Sequence, residues 1–336
     1  MKPPVKPIVA LIGGFLGAGK TTLILAAAEL IQRRGANVAV VLNDQGDLLV
    51  DTLLVQSHCV PAGQVAGGCF CCRFPDLVEA LDKLTCCEPE VIFAEAVGSC
   101  TDIVATTLRP LLRDYAGRFR VAPLTVVLHP AAPFTDPDLQ FLSANQQAEA
   151  DVLVGRASSL PPGARRVDAV TGEGVAEWLE EILAGTLPVA ANALTLDYAR
   201  YAAAEASLAW LNARVTAHAT PAISPALLLG PLLDRLSATV PNIVHLKLLA
   251  QCDSGYLKAA LTASHADPVV EGSLDASPAA IHEILLNVRA LAAPAELQSI
   301  VEREFAKLPA RLTWSHLQSF RPAAPVPYRN SASAPR

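Results

Sequence analysis

The stretch GFLGAGKT, residues 14–21, fits the pattern G-x-x-x-x-G-K-[ST]. It follows a short apolar run, PIVALIG (7–13), and opens a helical pattern, KTTLILAAAELIQRR (20–34), which ends at Gly35. Glycines between a strand and a helix let successive backbone N–H groups point at phosphate oxygens, and the helix N-terminus adds partial positive charge. Lys20 is then placed to bridge the two terminal phosphates of a nucleoside triphosphate, and Thr21 to offer its hydroxyl to Mg²⁺. The candidates for holding the nucleotide, GTP or ATP, are Gly14, Gly17, Ala18, Gly19, Lys20, Thr21 and Thr22. A glycine turn that only caps a helix is the bland alternative, and the strand-loop-helix context speaks against it.

Working outward, short apolar runs alternate with helical patterns. NVAVVLN (37–43), EVIFAE (90–95), LTVVLH (124–129) and DVLV (151–154) read as strands, and DLVEALDKL (76–84) and GVAEWLEEILAG (174–185) as helices. Continuous apolar strands are buried on both faces, which places them in a parallel sheet between helices. The expected fold class is therefore α/β: a P-loop NTPase with a doubly wound, mostly parallel sheet over residues 1–190. An acid is wanted at the tip of the next core strand, and Glu95, followed by Gly98, fills that place. Lys20, Thr21 and Glu95 are the catalytic candidates, and Gly98 joins the nucleotide-binding set.

After Pro188 the pattern lengthens. SLAWLNARVTAH, IVHLKLLAQ, GYLKAALTAS and HEILLNVRAL look strand-like, while PALLLGPLLDRLSATV and ELQSIVEREFAKL look helical. These predict a smaller C-terminal α+β domain over 195–317. Residues 318–336, rich in Pro, Ser and Ala, are expected to be a disordered tail.

A net charge of −6 and a pI near 5.7 exclude general affinity for nucleic acid, which needs a basic face to displace counterions. No stretch approaches the ~18 uninterrupted apolar residues of a membrane span. The opening run leads straight into the glycine loop, so it does not read as a targeting leader. Eight cysteines in 336 residues, several adjacent, suit a reducing cytoplasm better than a disulfide scaffold.

GGCFCC (67–72) sets Cys69, Cys71 and Cys72 within four residues, directly before a helix. In an extended segment residues 69 and 71 project to one side, and the nearby helix N-terminus is expected to lower the thiol pKa. Soft thiolates suit Zn²⁺ or other late transition metals, yet three ligands leave a zinc shell open. Buried small side chains or a redox pair fit the same spacing. Cys59, Cys86, Cys87, Cys100 and Cys252 read as structural, and among the histidines only His58, beside Cys59, is a candidate ligand.

Four pieces together resemble the CobW/HypB/UreG group of metal-chaperone P-loop GTPases, its CobW-like branch in particular. They are GGFLGAGKTT (13–22), NDQGDLLVDT (43–52), GGCFCC (67–72) and EAVG (95–98), and TGEGV (171–175) looks like the family's closing loop. The resemblance implies GTP hydrolysis and a transition metal, Zn²⁺ or Co²⁺, on Cys69, Cys71 and Cys72 with Asp47 joining them. It also implies delivery to a client metalloprotein or cofactor pathway, and a homodimer is a further candidate assembly. The chain departs from the family where guanine is read by Asn-Lys-x-Asp, since Gly155, Arg156, Ala157 and Ser158 stand there. His129 likewise replaces a common aspartate. Two rival functions follow from the same residues: a nucleotide- and metal-binding regulator without turnover, and a P-loop small-molecule kinase. The kinase would need a cluster of arginines over the substrate, which the sequence does not offer.

Overall fold

The computed structural model describes residues 6–46, 50, 55, 58–130, 134–156, 160–264 and 266–328. They form two compact units. The second comprises Val50 and the described residues of Glu205–Ala323, and the first comprises the rest, including 324–328.

In the first unit three strands are buried end to end: β1 (Ile8–Gly14), β2 (Val38–Asn43) and β4 (Val91–Glu95). With β3 (Ala62–Val65), β5 (Arg120–Val121), β6 (Thr125–Val127), β7 (Val152–Gly155) and β8 (Arg165–Arg166), they make one sheet. Its order is β3-β2-β4-β1-β6-β7-β8, with β5 also on β1, and every pairing is parallel. Such strands need cover on both faces. The helix α1 (Lys20–Arg33) supplies part of it by burying Leu23, Ile24, Ala27, Ala28 and Ile31, the spacing of one helical face. The remaining helices here are α2 (Phe74–Leu84), α3 (Arg109–Asp114), α4 (Pro137–Glu149) and α5 (Val175–Leu183). A π-helical stretch, Val104–Leu108, leads into α3. In α5, Trp178 is buried and its indole N–H donates to the Thr125 hydroxyl at 3.1 Å.

The helix α6 (Tyr198–Ala206) leads into a second sheet, this one antiparallel. Its strands are β9 (Ala209–Ile223), β10 (Ile243–Cys252), β11 (Gly255–Leu261), β12 (Val269–Gly272), β13 (Ala279–Ala290) and β14 (Ala310–Phe320), in the order β12-β11-β10-β13-β9-β14. Leu211, Ala213, Val215 and Ala217 alternate inward along β9. They pack with Leu228, Leu232 and Leu236 of α7 (Pro225–Thr239) and with Leu297, Val301 and Phe305 of α8 (Pro294–Phe305). Ser224 caps α7, its hydroxyl accepting from the Leu227 N–H at 3.3 Å.

One expectation changes. Residues 318–320, expected in the tail, end β14, whose exposure alternates along an edge of the sheet. Farther along, the Tyr328 N–H donates to the Cys71 carbonyl at 2.8 Å. Residues 329–336 lie outside the described ones. No helix among the described residues is long and apolar enough to cross a membrane.

Replacing Trp178 with Ala empties a fully buried site and removes the partner of Thr125. Urea unfolding should show a loss of about 3–5 kcal/mol, with Trp178→Phe losing distinctly less.

Candidate functional site

The loop between β1 and α1 is closed by the Ala18 N–H donating to the Phe15 carbonyl at 3.0 Å, and α1 begins at Lys20 with Gly19 as its N-cap. Gly19 has φ +99°, a left-handed conformation that side chains resist, and a Cβ there would meet nothing within 4 Å. The loop therefore presents an open face beside helix N–H groups that no side chain caps, which fits a phosphate. Lys20 is buried, and its Nζ donates to the carbonyls of Gly14 at 2.9 Å and Phe15 at 3.3 Å. The ammonium is thus folded over the loop. His129 is pushed down to about 4 by burial, and Lys20 and Arg156 act in the same direction. It stays neutral at physiological pH and adds no second fixed positive charge.

Parallel pairing of β1 with β4 sets Ile12 beside Glu95 and brings that strand tip to the start of α1. The Thr21 hydroxyl reaches both Glu95 oxygens, at 2.9 and 3.1 Å, with both residues buried. A hydroxyl and a carboxylate so close are the donor set that Mg²⁺ takes, together with phosphate oxygens. Beyond Glu95 the chain runs directly under the loop. A Cβ on Gly98 would lie 2.8 Å from the Leu16 nitrogen and 2.9 Å from its Cα. Gly98 is therefore where the two segments touch.

The cysteines are held from β2. At the end of that strand the buried Asn43 donates through Nδ2 to the carbonyls of Val65 (3.0 Å) and Gly68 (2.7 Å) and accepts from the Phe70 N–H at 2.9 Å. One carboxamide thus satisfies three backbone groups of the segment leading into the cysteines. Sequence reading set Asn43 in the family-like piece NDQGDLLVDT (43–52) and missed this role. The signal available was an Asn at a buried strand end, a place that demands partners.

The cysteine segment is not extended, as the sequence suggested. The Cys72 and Arg73 N–H groups both bond the Cys69 carbonyl, at 3.0 and 2.9 Å, and so make a tight turn. The turn sets the Cys69 and Cys72 sulfurs 3.6 Å apart and those of Cys71 and Cys72 3.7 Å apart. All three sulfurs lie within 4.8 Å of one another. Cys69 and Cys71 are buried and Cys72 is partly exposed.

The expected drop in thiol pKa is reversed. Cys71 is raised well above its usual value by hydrogen bonding to Cys100, then by its other sulfur neighbours and by burial. Cys69 is raised chiefly by Cys100. Cys72 is pushed up to about 11, first by Cys69. Packed sulfurs resist a shared negative charge, and here that outweighs the N-terminus of α2. The cluster is therefore protonated at neutral pH, and a cation must displace its protons.

Of the other expected positions, Thr22 is partly buried in α1, while His58 and Cys59 are exposed in a turn. Asp47, Ala157 and Ser158 lie outside the described residues. Gly155 ends β7 and Arg156 is exposed beyond it, so the end of β7 carries no Asn-Lys pair.

Four likenesses join this geometry. The family model for the CobW/HypB/UreG nucleotide-binding domain matches residues 8–160. The zinc chaperone YjiA of Escherichia coli (strain K12) is 39% identical over 83 residues, 22% of this chain and 26% of that protein. The match thus spans about a quarter of that relative's length. Among solved structures, Zn(II)-bound YjiA GTPase from E. coli has a TM-score of 0.33 and 13% identity, covering 89% of this chain and 99% of that one. HypB from Helicobacter pylori in complex with nickel has a TM-score of 0.38 and 15% identity, covering 57% and 92%.

Two outcomes are expected. Gly98→Ala should weaken nucleotide binding, measured with a fluorescent GTP analogue, because its methyl group collides with the Leu16 backbone. The apparent affinity for Zn²⁺ should rise with pH from neutral upward, by up to about tenfold per pH unit for each proton displaced. Titration against a competing chelator at several pH values checks this.

Proposed function

We propose that this chain, whose nucleotide-binding domain belongs to the CobW/HypB/UreG family, is a nucleotide-hydrolysing metallochaperone. It uses GTP, carries Zn²⁺ or Co²⁺ as cargo and passes the ion to a client metalloprotein. One observation carries the reading: three thiols within 4.8 Å of one another stand on a segment pinned by Asn43, the first residue of NDQGDLLVDT (43–52), which the family likeness makes the nucleotide-sensing switch segment. A metal site and a nucleotide-sensing segment thus share one anchor.

In this reading Gly14, Gly17, Ala18, Gly19, Lys20, Thr21 and Thr22 hold the phosphates, with Gly98 beneath the loop. Lys20 offsets charge on the terminal phosphates as the outer one departs, and Thr21 and Glu95 hold Mg²⁺ and orient the attacking water. Cys69, Cys71 and Cys72 take the cargo, and Asp47 joins them by the family likeness. A shift of the segment after Asn43 on hydrolysis alters the cysteine turn and loosens the ion. The zinc assignment is supported by the name of the curated relative, and a cytoplasmic location by the free thiols.

A second reading, a binding regulator without turnover, is favoured by the end of β7. Gly155 and Arg156 stand there in place of the residues that read guanine.

Turnover of GTP and ATP by the purified protein with Mg²⁺, with and without stoichiometric Zn²⁺ or Co²⁺, separates the two. GTP hydrolysis that changes with metal is the expected result. Lys20→Ala should abolish it, at least ~100-fold, while Cys71→Ser should lose metal with nucleotide binding intact. Tight metal binding with no turnover of either nucleotide would leave only the regulator.

A further inference from the structure

Zinc sites closed by protein alone have four ligands, and the cysteine turn supplies three. The fourth candidate comes from a different strand. Cys100, five residues after Glu95, is 1% exposed, and its sulfur lies 4.0 Å from that of Cys71. We propose that Cys100 is the fourth ligand of the cargo ion, so that the chain offers a closed tetrathiolate centre rather than an open three-thiol one. This rests on the metal-handling reading above and gives Cys100 the fourth place in the shell, which the family likeness assigns to Asp47.

The distances suit a tetrahedron. With Zn–S bonds of about 2.3 Å, neighbouring sulfurs stand about 3.8 Å apart. The separations here are 3.6 Å (Cys69–Cys72), 3.7 Å (Cys71–Cys72) and 4.0 Å (Cys71–Cys100). Cys100 falls outside the group of three sulfurs that are mutually within 4.8 Å, so metal binding must draw its sulfur closer to the others.

Cys100 is also held in place, as a ligand's surroundings should be. Gln146 of α4 donates through Nε2 to the carbonyls of both Gly98 and Cys100, each at 2.9 Å. Glu149 of the same helix accepts from the Thr101 hydroxyl (3.2 Å) and the Val104 N–H (3.0 Å). The Thr101 N–H donates to the Tyr201 hydroxyl at 3.3 Å. Buried side chains on both sides of Cys100 therefore fix the backbone that presents it.

The position has a mechanistic consequence. Cys69, Cys71 and Cys72 ride on the segment anchored by Asn43, whereas Cys100 rides on the segment that begins at Glu95, the partner of Thr21. A change at the nucleotide then reaches the metal from two strands. Withdrawing Cys100 alone turns a closed four-thiolate site into an open three-thiolate site that an acceptor can enter.

Cobalt is a usable probe because thiolate-to-Co²⁺ charge-transfer absorption scales with the number of sulfur ligands. Wild-type protein, Cys100→Ser and Cys100→Ala, all full length and reduced, would be titrated with Co²⁺ and then with Zn²⁺ against a chelator. Both variants should lose roughly a quarter of the charge-transfer intensity, four thiolates becoming three. Their Zn²⁺ affinity should fall by at least the ~10-fold that losing even an outer partner costs. Variants matching wild type in both measurements would overturn the fourth ligand and leave the chaperone reading standing. A wild type that takes up no metal would end both. Because a substitution at a buried site can disturb folding, X-ray absorption of the zinc-loaded wild type provides a test without mutation. Four sulfurs at about 2.3 Å support the proposal, and three with one nitrogen or oxygen refute it.

Discussion

The pairing of β4 between β1 and β2 is the constraint from which both sites follow. Glu95 stands level with Ile12 on one side and with Leu42 on the other. Once this register is fixed, the acid at the tip of β4 falls beside the Thr21 hydroxyl, and the chain leaving β4 passes beneath the phosphate loop at Gly98. The end of β2, one strand away, carries Asn43 and through it the cysteine turn. A slip of one residue in such a sheet would turn each side chain to the opposite face. The nucleotide loop and the thiols would then lose their common frame. Central burial makes that slip costly, since β1, β2 and β4 expose almost nothing.

The first unit was largely legible because its signals are local. The glycine loop, the apolar strands and Glu95 are fixed by short-range chemistry, and the structure places them at one strand end. The second sheet was legible where strands are mostly apolar, as in β10 and β13. It was obscure at β14, where TWSHLQSF alternates polar with apolar residues on an edge and resembles a loop in composition. β12 was missed for a like reason, since its four residues are mostly exposed.

The cysteine cluster was legible as a set of residues but not as a geometry. Three cysteines in four residues announce themselves, yet whether they lie extended or in a turn depends on Asn43, 26 residues before Cys69 in the chain. Cys100 carries no local signal at all. Its relation to Cys71 exists only because strand order returns the chain to that place. The thiol pKa values were misjudged for the same reason, since they depend on sulfur neighbours that only the folded chain provides.

The unequal exposure of the sulfurs gives ligand exchange a direction. Cys69, Cys71 and Cys100 are buried, the backbone of Cys71 is bonded by Tyr328, and Cys72 alone of the four is part-exposed. With an ion held as proposed, an incoming donor approaches from the Cys72 side, and once Cys100 has withdrawn the first thiolate it exchanges is that of Cys72. Affinity and lability then reside in different residues: the buried sulfurs set how tightly the ion is held, and the one at the surface sets how quickly it leaves. A chain built this way can hold a metal firmly against free chelators and still surrender it to an acceptor shaped to reach a single sulfur.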